Sequence, residues 1–143
     1  MTDIDFYILA AQQPEDRLQF ACRLVEKAYR SNCKVCVHFD DAAQAQGFDD
    51  LLWSFRAESF IPHTVISDDM PDCSVYLSHG SQLPPCYDVL INLAQQIPAS
   101  FTRYNRVLEI VIQNDDVLSS TRQHYKFYKD RGYPMNNFDM RIS

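Results

Sequence analysis

The run IDFYILAAQQPEDRLQFACRLVEKAYRSNCKVCVHF, residues 4 to 39, decides the fold class of this chain. Its first seven residues form an apolar run rich in β-formers, and without clean alternation they read as a strand covered on both faces. From Pro14 to Arg30 the period changes. Pro14 suits a first helical position, Glu15 and Asp16 suit the positive end of the helix dipole, and Leu18, Ala21, Cys22, Val25, Ala28 and Tyr29 fall on one apolar stripe. KVCVHF, residues 34 to 39, is then a second strand. A covered strand, an amphipathic helix and another covered strand predict a mostly parallel sheet with helices packed on it.

The same alternation continues outward. Asp40 or Asp41 can cap a helix through AAQAQGFDDLLW, residues 42 to 53. SVYL (74 to 77), DVLINLA (88 to 94) and RVLEIVI (106 to 112) read as further strands, the last of them as the final central one. VLSSTRQHYKFYKDR, residues 117 to 131, reads as a closing helix, capped by Asp115 or Asp116 and stopped by Gly132 and Pro134. The segments 54 to 73 and 78 to 87, with Pro62, Pro71, Pro84 and Pro85, read as long connections. No repeat or linker divides the chain, so residues 1–143 are expected to form a single α/β domain.

A chain of 143 residues, 46 % of them hydrophobic, is long enough for one core that buries roughly two thirds of the unfolded surface. No stretch approaches the roughly 20 apolar residues of a membrane span, and the acidic start MTDIDFYILA lacks the positive region of a secretory signal, so a cytoplasmic protein is expected. The five cysteines are an odd number without regular spacing, which suits reduced thiols rather than a disulfide framework. Nineteen acids against thirteen bases disfavour nucleic acid bound over a broad surface.

A parallel sheet raises the prospect of a nucleotide at its carboxyl edge, and glycine decides against the usual versions. With only Gly47, Gly80 and Gly132, neither G-x-G-x-x-G nor a phosphate-binding loop can be written. Cys33-x-x-Cys36 resembles half a metal site, but residues three apart on a strand point to opposite faces, so both read as structural thiols. The four histidines are scattered and no nucleophile elbow accompanies Ser59 or Ser78. The pairs Asp40/Asp41, Asp49/Asp50, Asp68/Asp69 and Asp115/Asp116 read as caps and solvated turns rather than acid/base pairs. No catalytic, metal or cofactor constellation emerges.

One segment inverts the charge. Between Arg122 and Arg131 four bases meet one acid, whereas the remainder carries nine bases against eighteen acids. At about 100° per residue, Val117, Leu118, Thr121, Tyr125 and Tyr128 share one arc, and Arg122, Lys126 and Lys129 lie beside it. Tyr125 at that border can wall a pocket with a cationic rim, suited to an acidic peptide whose last residue is aromatic. The spacing alone leaves other readings open: cations complementing the helix dipole, or aromatics stacking on single-stranded nucleic acid.

LLWSFRAESFIPH, residues 51 to 63, resembles a segment of the chi subunit of bacterial DNA polymerase III. DFYIL, DVLINL, RVLEIV and TRQHYKFYKDRGY (121 to 133) resemble the same family in order and spacing, so the likeness covers essentially the whole chain. It implies a Rossmann-like three-layer α/β domain with a mostly parallel sheet, lacking a phosphate-binding loop, and an accessory subunit without a catalytic site. It implies two partners: the psi subunit, which tethers chi to the clamp-loader complex, and the acidic carboxyl-terminal tail of single-stranded DNA-binding protein. The tail positions fall on Arg122, Tyr125 and Lys126, with Lys129 as helper and Val111 as a wall. For psi they fall on Trp53, Phe60 and Pro62, a face for which a helicase-like protein is a further candidate partner. On residue chemistry, Trp53 reads either as an interface anchor or as the end of a core-facing helix. Two departures from the family pattern stand out. Asn32-Cys33-Lys34 replaces a Gly-Lys before the second strand, and Ile112 stands where an acidic residue is common. The alternatives are a nucleotide-binding or hydrolytic Rossmann-like enzyme and a module that binds single-stranded DNA directly.

Overall fold

The computed structural model describes residues 2–55, 61–66 and 73–141. Its elements are β1 (Asp3–Ile8), α1 (Pro14–Arg30), β2 (Val35–Phe39), α2 (Ala42–Ser54), β3 (His63–Val65), β4 (Val75–His79) and β5 (Val89–Asn92). A short 3-10 helix (Ala99–Arg103), β6 (Arg106–Val111), α3 (Asp115–Asp130) and β7 (Met135–Asp139) follow. The strands form one seven-stranded sheet in the order β3-β4-β2-β5-β6-β1-β7. Every adjacent pair is parallel.

Because parallel strands need crossovers, helices cover both faces and the central strands are buried and mostly apolar. All five residues of β2 are buried. On one face α1 and α2 bring Ala21, Cys22, Val25, Phe48 and Leu52 against Val37, Ile91 and Ile110. On the other, α3 and the 3-10 helix set Tyr128 and Phe101 against Phe6, Leu90 and Val107. Each fully buried large side chain contributes about 1.5–3 kcal/mol relative to its exposure. The result is the three-layer α/β architecture expected from residues 4 to 39.

Local chemistry sets the ends of the helices. Asp41 caps α2, its Oδ1 accepting the Gln44 N–H at 2.9 Å. At the end of α1 the backbone reverses through Asn32, which has φ +61°, so asparagine takes the left-handed conformation in place of the expected glycine. The Cys33 N–H then returns to the Ala28 carbonyl at 3.0 Å. Cys33 and Cys36 pack against opposite faces of the sheet, as their spacing requires, and all five cysteines are free thiols.

Three expectations need correction. Residues 63–65 form β3, inside a segment read as connection, because three half-buried residues are too few for periodicity to register. β6 is the final central strand, as expected, but an edge strand not expected from the sequence follows it. Met135–Asp139 adds β7 at the sheet edge, where exposure keeps the sequence polar and removes the apolar signal. Pairing with β1 recruits it, and Asp5 of β1 joins its neighbours by accepting from Arg106 Nη1 at 2.6 Å and Asn136 Nδ2 at 3.0 Å. The third correction concerns α3, capped by Asn114 rather than by Asp115 or Asp116. Asn114 Oδ1 accepts the Asp116 and Val117 N–H groups at 3.1 and 3.4 Å, and the two acids occupy the first helical turn. Ser59 and Asp68/Asp69 lie outside the described residues. No described helix is long and apolar enough to cross a membrane.

Candidate functional site

The orientation of α3 is set by a buried carboxylate. Glu109, on β6, faces the helix and is completely shielded from solvent. Its Oε1 accepts from His124 Nδ1 at 2.9 Å, and its Oε2 accepts from Tyr128 Oη at 2.9 Å and Asn92 Nδ2 at 3.1 Å. The second nitrogen of His124, Nε2, donates to the Gln95 carbonyl at 2.7 Å. With an acceptor before each ring nitrogen, His124 is built to be an imidazolium. Burial by itself pushes its pKa down. The hydrogen bond to Glu109, the charge of Glu109 and the Gln95 carbonyl outweigh that, and the net effect is upward.

A row of buried polar residues extends from this network across the sheet. In the ladder, Glu109 is level with Asn92, Asn92 with His38, and His38 with Ser78. Ser78 Oγ lies 2.9 Å from His38 Nδ1 and 3.1 Å from Cys36 Sγ, so the polar groups of the row are partnered although buried. No sequence pattern marks the row, because its members come from four strands and each alone reads as an isolated polar residue.

With Thr121, His124 and Tyr128 turned inward, the outer positions of α3 are fixed. Tyr125 and Leu118 are half-buried at the border, packed on the same apolar cluster as Val111. The Tyr125 ring meets Phe6 edge-on at 5.3 Å. Arg122, Lys126 and Lys129 are exposed beyond that border. None of the three has an ion pair among the described residues, whereas Arg131 is engaged over the Phe127 ring at 3.8 Å. The five residues singled out for an acidic tail therefore share one helix face and the adjoining strand end. Val111, 8 % exposed, contributes only a sliver of that surface. Val117, placed on the inward arc by periodicity, packs instead with the cluster on the α1 side of the sheet.

The second face is at the end of α2. Trp53, in the last turn, is 50 % exposed, so it is a surface aromatic rather than a core anchor. Its ring lies 4.3 Å from that of His63, which donates through Nδ1 to the Ile61 carbonyl at 2.6 Å. His63 Nε2 sits 3.2 Å from Asp49 Oδ1. Trp53 is thereby held against β3 next to Pro62, which is half-buried. Phe60 lies outside the described residues. Among the described residues no group of three His, Cys, Asp or Glu side chains is placed to hold a metal ion.

Comparison with known proteins identifies the family. The family described as DNA polymerase III chi subunit, HolC, matches residues 1–136. The chain is 39 % identical to the DNA polymerase III subunit chi of Pseudomonas aeruginosa over 137 residues, covering 96 % of each. It is 27 % identical to the subunit of the same name from Escherichia coli over 142 residues, covering 95 % of this chain and 97 % of that one. The Haemophilus influenzae subunit is also 27 % identical, over 92 % of both chains. With a seven-stranded α/β core and a family match across nearly its whole length, this chain belongs to the DNA polymerase III chi subunit family, and so to the accessory subunits of a replicative polymerase.

Proposed function

We propose that this chain is a non-enzymatic, cytoplasmic replisome adaptor that binds the acidic tail of single-stranded DNA-binding protein on α3 and the psi subunit on the Trp53 face. One observation carries the reading: Arg122, Lys126 and Lys129 stand without ion-pair partners among the described residues, beside the half-buried Tyr125 and Leu118. Leaving three cations uncompensated favours an anionic partner, and the apolar border favours one that ends in an aromatic side chain. A terminal carboxylate takes a forked hydrogen bond from Arg122 while its side chain rests against Tyr125 and the edge of Val111. On the second face, a half-exposed Trp53 held by His63 next to Pro62 is the kind of rigid aromatic that anchors an interface. Psi held there, with Phe60 as a further anchor, tethers the complex to the clamp loader.

The test is a calorimetric titration of the full chain with a peptide ending in Asp-Asp-Ile-Pro-Phe and with its version lacking the terminal Phe. Saturable binding of the first and not the second is expected. Equal binding of both, or of neither, overturns the assignment. Retention of single-stranded DNA by the chain without its coating protein would instead favour direct nucleic-acid binding.

A further inference from the structure

At the carboxyl ends of β2 and β5 a cleft of about 570 Å³ opens on the α1/α2 side of the sheet. Its position follows from topology. α2 carries the chain from β2 outward past β4 to the β3 edge, whereas β5 is followed by β6 on its other side. Where consecutive connections part in this way, no connection crosses over the strand ends, and α/β sheets hold their ligands in such gaps. The volume is that of a small-molecule site. Its apolar lining includes Phe39, Leu93, Leu18, Phe48, Leu51 and Val117.

Two features give the cleft a chemistry. Its charged lining residues are three carboxylates, Glu15, Asp40 and Asp116, against one guanidinium, Arg17. Arg17 is committed to the protein: Nε donates to the Ile110 carbonyl at 2.9 Å and Nη1 to the Leu93 carbonyl at 3.3 Å. Asp40 accepts the Gln95 N–H on Oδ1 at 2.8 Å, and its Oδ2 makes no hydrogen bond among the described residues, although Arg17 and His38 are close enough to feel its charge. The second feature is Gly47, inside α2 and on the cleft lining. A glycine there costs a helix about 1 kcal/mol relative to alanine. Neither a positive φ nor crowding requires it, since a Cβ at Gly47 would meet nothing within 4 Å. Its absence leaves the α2 backbone open to close approach by something that is not part of this chain.

Phosphate-bearing ligands do not fit. The carboxylates repel them, and no glycine-rich loop offers them backbone N–H groups. We propose that the cleft between β2, β5 and α2 binds a small organic cation, an apolar amine whose body lies against Leu18, Phe48 and the bare turn at Gly47 and whose ammonium faces Asp40.

The test uses two probes of the same shape and opposite charge, 2-naphthylmethylamine and 2-naphthoate, titrated into the ¹⁵N-labelled full chain. The amine is expected to shift the amides of Leu18, Gly47 and Gln95 saturably, with naphthoate at least about tenfold weaker. Asp40→Asn, which keeps the acceptor for Gln95, weakens the amine about tenfold. Gly47→Leu abolishes it without lowering the melting temperature or altering the α3 amide spectrum. The proposal fails if the amine produces no saturable shifts, if both probes bind equally, or if amine binding survives Gly47→Leu. Should Gly47→Leu disturb the fold, the Asp40→Asn result alone decides, and unchanged affinity there overturns the proposal.

Discussion

His124 donates through Nδ1 to Glu109 Oε1 at 2.9 Å, in a contact where both side chains are buried between α3 and the sheet. The pair couples stability to pH. The folded pKa of His124 is raised above its ordinary 6.5, so its stabilisation is complete below pH 6.5 and is lost as pH rises through the folded value. His38 acts with the opposite sign. Burial, the largest cause, and nearby His79 outweigh Asp40 and hold it below 6.5, so its contribution is complete above 6.5 and is lost as pH falls through its folded value. Urea unfolding at intervals from about pH 5 to pH 9 should show greatest stability near neutrality, and His124→Gln should remove the alkaline decline. An unchanged alkaline limb in that variant would assign the effect to another group.

Glu109→Ala is expected to be among the most damaging single substitutions. It removes the acceptor of three hydrogen bonds and leaves an imidazolium buried without its counter-charge. Breaking a buried pair from one side costs about 3–5 kcal/mol. Chemical denaturation measures it. A loss below about 1 kcal/mol would mean that solvent reaches the pair in solution.

Arg122→Ala and Lys126→Ala should each weaken the Phe-terminated acidic peptide by about tenfold, or about 1.4 kcal/mol, and reduce the salt dependence of its affinity. Both residues are exposed and carry no internal ion pair among the described residues, so the melting temperature should not move. Tyr125→Phe should bind as the parent does, because the ring supplies the wall.

Trp53→Ala should abolish co-purification with psi while the acidic peptide still binds. The ring is half exposed and stacks at a tilt on His63. Its loss should cost the isolated chain less than the roughly 3–5 kcal/mol of removing a core tryptophan. Co-expression followed by affinity capture reads the first outcome and thermal melting the second.

Two glycines should respond oppositely to alanine. Gly132 has φ +77° just past α3, where a Cβ is unfavourable, so Gly132→Ala should destabilise by about 1–2 kcal/mol. Gly47 sits inside α2 with open space around it, so Gly47→Ala should stabilise by about 0.5–1 kcal/mol. Differential scanning calorimetry of the two variants separates backbone conformation from crowding, since neither alanine meets an atom within 4 Å.

The order of strands and helices was legible because covered parallel strands and amphipathic helices write their environments into local periodicity. Pro14, Asp41 and Gly132 mark helix ends through chemistry that acts within a few residues. The cationic stripe of α3 was legible for the same reason. The polar edge strand β7 was not, since its pairing with β1 is decided by where α3 delivers the chain.

The sequence by itself determined a parallel α/β sheet, a closing helix with clustered bases beside aromatics, and the want of a glycine-rich phosphate loop, all properties of neighbouring residues. Only the tertiary structure decided which way that helix faces, because Glu109, Asn92 and His124 lie far apart in the chain and their hydrogen bonds exist only once β5, β6 and α3 have packed. The same holds for the cleft beside Gly47, a space bounded by elements that meet only in the fold.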